Sequence, residues 1–202
     1  MSIACLYADC LKSYDKYRKL NILMRLGPTI FGVKPMHIFC FHKKFKFINK
    51  ILKDIELFFK DSSVIRYRIV HSNNHSIKIV VYNLKAFKRL LSRKNVINFL
   101  KTKGYIITMN TEYYINQLES KLIYNNLPPE FGIFFGYPLK DVIGFIGHPS
   151  LKHIKTTAWK VYGNPKLSDE VLAKFKESEL RMLEMCQTLP FKKVVLSIRA
   201  IS

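Results

Sequence analysis

The stretch from Val64 to Tyr82 limits the possible folds more than any other part of the chain. VIRYRIV alternates apolar and polar residues, IKIVVY is a continuous β-branched and apolar run, and HSNNHS separates them. Two strand-like runs joined by turn residues predict a β-hairpin, with Asn73-Asn74 supplying the turn. A lone hairpin is barely stable in water, so other elements must cover it. His71 and His75 flank the turn. Two histidines do not make a metal site, and a solvated turn accounts for them.

The covering elements follow from periodicity. Residues 3–25 read as a helix, with Ile3, Leu6, Tyr7, Cys10, Leu11 and Tyr14 at helical spacing and Gly27-Pro28 as its stop. Thr29 to Pro35 reads as a connector, and MHIFCF (Met36 to Phe41) as a buried strand. Phe45, Ile48, Leu52, Ile55 and Phe59 then recur at intervals of 3 and 4, which is one helix face. Leu84, Phe87 and Leu91 mark a further helix, Val96 to Lys103 another that stops at Gly104, and Glu112 to Tyr124 a third. FGIFF (Phe131 to Phe135) reads as a buried strand, and Tyr137-Pro138 opens a helix with Val142, Ile143 and Ile146 on its apolar side. TTAWKVY (Thr156 to Tyr162) reads as a strand. Asn164 and Pro165 then start a helix running to about Cys186, with Val171, Leu172, Phe175 and Met182 facing in, and residues 192–201 add a short strand. The expected architecture is α+β: one domain over residues 1–202, with a mixed sheet of five or six strands and helices packed on it. The strict βαβ alternation of a doubly wound fold is missing.

Charge is the most conspicuous part of the composition: 34 Lys+Arg against 14 Asp+Glu, for a net +20. Residues 1–100 hold 20 basic and 5 acidic side chains. Such a chain attracts polyanions. The candidates for that role are Lys43, Lys44, Lys46, Lys50 and Lys53 beside the helix at 43–60, and Lys85, Lys88, Arg89, Arg93 and Lys94 further on. AT-rich codon usage also enriches Lys, and no helix-turn-helix, zinc-finger or RNP signature accompanies the charge. A solvated Lys-rich surface is therefore the stronger reading. The first twenty residues hold Asp9 and Asp15 and no uninterrupted apolar run, so no signal peptide is read, and no membrane span either. The expectation is a cytoplasmic protein without disulfides, because Cys5, Cys10, Cys40 and Cys186 show no paired or zinc-binding spacing.

Common catalytic signatures are absent: no G-x-G-x-x-G, P-loop, G-x-S-x-G or H-E-x-x-H occurs. His148 and His153 are read as surface histidines, and no metal site or cofactor is assigned. Two carboxylates stand out. Glu130 follows a Pro-Pro turn, and Asp141 sits in the first turn of a helix, where the helix dipole favours it. Trp159, Lys160 and Tyr162 alternate along a strand, so Trp159 and Val161 face one side and Lys160 and Tyr162 the other.

PTIFGVKP (Pro28 to Pro35), PEFGIFFGYPLKDVIGFI (Pro129 to Ile146) and WKVYG (Trp159 to Gly163) resemble, in order and spacing, an uncharacterised clostridial family, domain of unknown function 3793. IVVYN (Ile79 to Asn83) and NFLKTKGY (Asn98 to Tyr105) resemble its middle segment. The chain keeps the family's Pro28, Thr29, Gly32, Lys34 and Pro35. It also keeps Glu130, Gly132, Phe134, Gly136, Tyr137, Pro138, Asp141, Val142, Gly144 and Phe145. It departs at Arg25-Leu26, where the family has His-Cys, and at Pro129, where the family has His. The resemblance implies a small cytosolic protein of Firmicutes or similar bacteria, and no activity. If the family uses that Cys and His, this chain has lost them.

Three readings follow. The first is a non-enzymatic accessory module that binds a small ligand or a partner protein, through Lys34, Glu130, Tyr137, Asp141, Trp159, Lys160 and Tyr162. The second is an enzyme with Glu130 and Asp141 as acid and base. The third is a polyanion-binding protein using the basic helices. The first is preferred, because its residues collect in loops and at element ends, where sites usually lie.

Overall fold

The hairpin is present. In the computed structural model, which describes the backbone of residues 3–71, 76–124 and 127–201 and side chains from residue 17 on, β2 (Ile65–His71) pairs antiparallel with β3 (Ser76–Asn83). The turn expected at Asn73-Asn74, with His75, lies outside the described residues. So do the side chains of the first helix from Ile3 to Tyr14, Cys5 and Cys10 included. β1 (Met36–His42) pairs with the other edge of β3, giving the order β1-β3-β2.

The position of β3 accounts for its sequence. Ile77, Ile79 and Val81 point to one face and join a cluster with Leu23, Leu26, Ile55, Phe58 and Ile198. Val80 and Tyr82 point to the other and join Phe87, Leu100, Tyr114, Phe131 and Phe134. A central strand covered on both faces needs apolar residues at every position, so its run does not alternate. Lys78 is the exception on the second face. It is buried, and its Nζ donates to the Leu122 carbonyl at 2.7 Å. That carbonyl lies in the last turn of α5 (Thr111–Ile123), where the helix dipole favours a cation.

Helices cover both faces of the sheet. On the first lie α1 (Ile3–Ile30), α2 (Ile48–Phe59), α7 (Lys166–Thr188) and α8 (Phe191–Arg199). On the second lie α3 (Leu84–Leu91), α4 (Lys94–Thr102), α5 and the region of α6 (Leu139–Ile146). Asn83 starts α3 as expected of an N-cap, its side chain accepting from Ala86 N–H at 2.9 Å. At α7 the cap position is Pro165, not Asn164 as expected; Asn164, one residue earlier, accepts from Lys166 N–H at 3.0 Å. Arg18 of α1 and Asp54 of α2 form a buried pair at 2.7 Å, which ties the first two helices together.

The chain is α+β. Five strands form two antiparallel sheets among the described residues, of three and two strands. Several local expectations are overturned. Gly27-Pro28 does not stop the first helix, which runs on to Ile30. Pro28 cannot donate to the carbonyl one turn back, but Leu23, Leu26 and Ile30 are fully buried around it. Burying each is worth roughly 1.5–3 kcal/mol, enough to outweigh a proline cost of about 3 kcal/mol. The Pro28 carbonyl then accepts from both Val33 and Lys34 N–H at 2.8 Å, and the helix ends. The segment at 43–47 is a turn, and α2 begins only at Ile48.

FGIFF is not a strand but part of a 3-10 turn, Pro129–Ile133. Pro128 and Pro129 supply no ladder donors, and Phe131, Ile133 and Phe134 all pack into the second core from the turn. TTAWKVY is not one strand either. It is the end of β4 (His153–Thr156), a tight turn closed by Thr157 N–H to Trp159 O at 2.9 Å, and β5 (Lys160–Tyr162). Residues 192–201 form no strand, because Val194, Val195 and Ile198 are buried at helical spacing in α8.

Candidate functional site

Asp141 sits in the first turn of α6 and is 2% exposed. Its Oδ1 accepts from Lys140 Nζ at 2.6 Å and from the Tyr162 backbone N–H at 2.9 Å. Its Oδ2 accepts from Trp159 Nε1 at 2.8 Å and from Ser168 Oγ at 2.7 Å. Lys140 Nζ also donates to the Tyr162 carbonyl at 2.7 Å and to Ser168 Oγ at 2.8 Å, which uses all three of its N–H bonds. One carboxylate thus fastens α6, β5 and the start of α7 together. Burial pushes the Asp141 carboxyl up, but the bonds from Lys140, Ser168, Tyr162 and Trp159 outweigh it and hold the group below the usual carboxylate range. With two donors on each oxygen the group is a structural anchor.

The anchor fixes Trp159, and Trp159 forms a wall. Its indole stacks on the Tyr137 ring, with centroids 4.5 Å apart, and meets Phe175 edge-on at 6.0 Å. In front of the stack is a pocket of about 340 Å³, lined chiefly by Phe131, Phe135, Tyr137, Phe145, Trp159 and Lys160. That volume suits a small organic ligand. Leu127 and Phe145 at its edge are half exposed, and Lys160 Nζ lies 5.6 Å from the Phe145 ring. Gly144 behind the pocket allows α6 to sit on β5: a Cβ there would come within 2.4 Å of the Tyr162 ring.

Tyr137, Asp141, Trp159 and Lys160 therefore come together around this pocket. Tyr162 contributes backbone atoms to the anchor, while its ring packs against Gly144. Glu130 is buried in a separate arrangement, accepting from Tyr105 Oη at 3.3 Å and from Lys121 Nζ at 3.4 Å, and it shares no partner with Asp141. Tyr105 is raised by burial and then by the Glu130 charge. Lys34 lies 5.7 Å from each of the Phe135 and Phe175 rings, with Nζ 3.2 Å from His37 Nδ1. Phe135 is its link to the pocket. Lys140 and Ser168 belong to the site and are not among the residues the sequence marks, while Phe145, a residue of the motif at 129–146, lines the pocket without being a site candidate. Lys140 stood beside Asp141, but nothing local marked Ser168 as the partner of a residue 27 positions earlier.

The basic candidates divide. Lys43, Lys44, Lys46, Lys50 and Lys53 are exposed around α2, on the first face of the sheet. Lys85, Lys88, Arg89, Arg93 and Lys94 are exposed on or beside α3 and α4, on the second. The sheet stands between the two groups. Cys40 and Cys186 are free thiols, and burial pushes the Cys186 thiol up. Among the described residues no three His, Cys, Asp or Glu side chains group to hold a metal, and no helix is long and apolar enough to cross a membrane.

No curated protein and no solved structure matches this chain. One family model does, over residues 22–195, a span that takes in the sheet, the Asp141 anchor and the pocket. The chain belongs to that family, described as protein of unknown function (DUF3793).

Proposed function

We propose that the protein is a non-enzymatic binding module for a small, largely aromatic ligand bearing a negative group, held in the pocket before the Tyr137–Trp159 stack. The observation that carries this reading is the stack itself: two rings held at 4.5 Å, one of them tied to Asp141, facing an open pocket of about 340 Å³. A fixed aromatic wall offers a flat ligand a preformed partner at little ordering cost. Lys160 at the edge supplies the positive charge. The saturated Asp141 and the separately bonded Glu130 give acid–base catalysis no support.

Trp159 is the chain's single tryptophan, so its emission reports on this pocket. Anilinonaphthalene sulfonate, an aromatic anion, serves as the probe. Titration should show energy transfer from Trp159 that saturates at one dye per chain. Phe145→Ala and Lys160→Ala should each weaken binding by about tenfold, the equivalent of roughly 1.4 kcal/mol. Lys160→Arg should retain it. Unsaturable binding, or wild-type affinity in both alanine variants, would reject the reading.

A further inference from the structure

A second cavity of about 370 Å³ opens where the loop after α1 meets α3 and α7. Twelve residues line it, among them Arg89, Arg93 and Lys174, and none is acidic. Arg89 comes from α3, Arg93 from the N-cap of α4 and Lys174 from α7, so three separate elements point a cation at one hollow. The Arg89 guanidinium is aimed by a hydrogen bond from Nη2 to the Gly32 carbonyl. That bond leaves most of its five donors free. Among the described residues, no hydrogen bond or ion pair holds the side chains of Arg93 or Lys174.

Three like charges gathered around one hollow without a carboxylate repel one another, and an anion bound among them would relieve that. Guanidinium groups offer paired donors that match phosphoryl oxygens, and the lysine adds a point charge. A neighbouring cavity of about 510 Å³ shares Leu90, Arg93, Gly136, Tyr137 and Val171 with this one. It adds Asn95, His148 and Ser150, polar groups that suit an organic body attached to the anion.

We propose that Arg89, Arg93 and Lys174 form a site for the phosphoryl group of a small molecule. The site is separate from the aromatic pocket, with Tyr137 lining both. It stands or falls independently of the reading given above for that pocket.

The test is titration with inorganic phosphate and with adenosine monophosphate, at ionic strength held constant with chloride, followed by phosphorus NMR and by thermal unfolding. Saturable binding is expected in the wild type, weakened at least tenfold in Arg93→Ala and in Lys174→Ala. Arg93→Lys and Lys174→Arg should recover much of it. Lys43→Ala/Lys44→Ala, which removes two exposed charges from the other side of the sheet, should bind as the wild type does. Circular dichroism of each variant separates lost binding from lost fold. Tighter binding of the nucleotide assigns the site to a phosphate ester, and equal affinity assigns it to free phosphate. Absence of saturable binding, or equal weakening by Lys43→Ala/Lys44→Ala, overturns the proposal, because bulk charge would then explain any effect.

Discussion

At the scale of single residues, the buried polar groups say most. Asp141 brings three elements together through four hydrogen bonds. Asp141→Asn keeps the shape but removes the charge that Lys140 needs and turns one acceptor oxygen into a donor. Leaving a buried ion pair and its network half satisfied costs about 3 kcal/mol. Urea unfolding should show that loss, together with a red-shifted Trp159 emission as the indole is freed. Lys34 makes the opposite case. Its pKa is lowered to about 8, first by burial, with Arg25 adding to the shift and Glu179 opposing it. His37 is lowered well below its ordinary value by burial, then by Lys34 and Arg25, and its Nε2 is buried with no partner. Below about 8 Lys34 is protonated in the folded and unfolded states alike, and the folded state carries the whole cost of the buried charge. Between about 8 and 10.5 the unfolded chain binds more protons, so stability rises with pH. Lys34→Met should therefore stabilise the protein most at neutral pH, with the gain shrinking as pH rises through that window. Denaturant midpoints across the range measure this.

At the scale of elements, sequence reading succeeded where one period ran unbroken. β2 and β3, α3, α5 and α7 are legible in the sequence, and the Asn164-Pro165 pair marks the start of α7 although Pro165 holds the cap position. It failed where an apolar run was too short to show a period. FGIFF has five residues, and only contacts far along the chain decide that three of its side chains are buried from a turn. Residues 192–201 are expected as a short strand, yet Val194, Val195 and Ile198 face the first core from a helix. Four of the seven candidate pocket residues meet at the pocket, because they flank one turn or one strand. Ser168 was missed because its partner is on another element. Gly27 has a cause of the same long-range kind. A Cβ there would lie 2.6 Å from the Ser178 backbone oxygen, so α1 and α7 can cross this closely only because residue 27 has no side chain. Alanine would gain about 1 kcal/mol in helix propensity and lose roughly 1–3 kcal/mol to overpacking, and backbone oxygen cannot swing aside. Gly27→Ala should therefore be destabilising on balance, by up to about 2 kcal/mol in denaturant unfolding.

At the scale of the whole molecule, the charge and the pockets have different addresses. The net charge of +20 spreads over both sides of the sheet, so it forms no single groove. The aromatic pocket lies on the less basic half of the chain, while the cavity of Arg89, Arg93 and Lys174 draws cations from both halves. That convergence could not be read locally, since Lys174 lies far along the chain from Arg93 and only the packing of α7 brings it near. The crossing of α1 and α7 also sets a schedule. About 150 residues separate Gly27 from Ser178, so α1 leaves the ribosome well before the part of α7 that it crosses. At roughly 5–20 residues per second, a newborn first helix waits on the order of ten seconds for its mate to leave the ribosome.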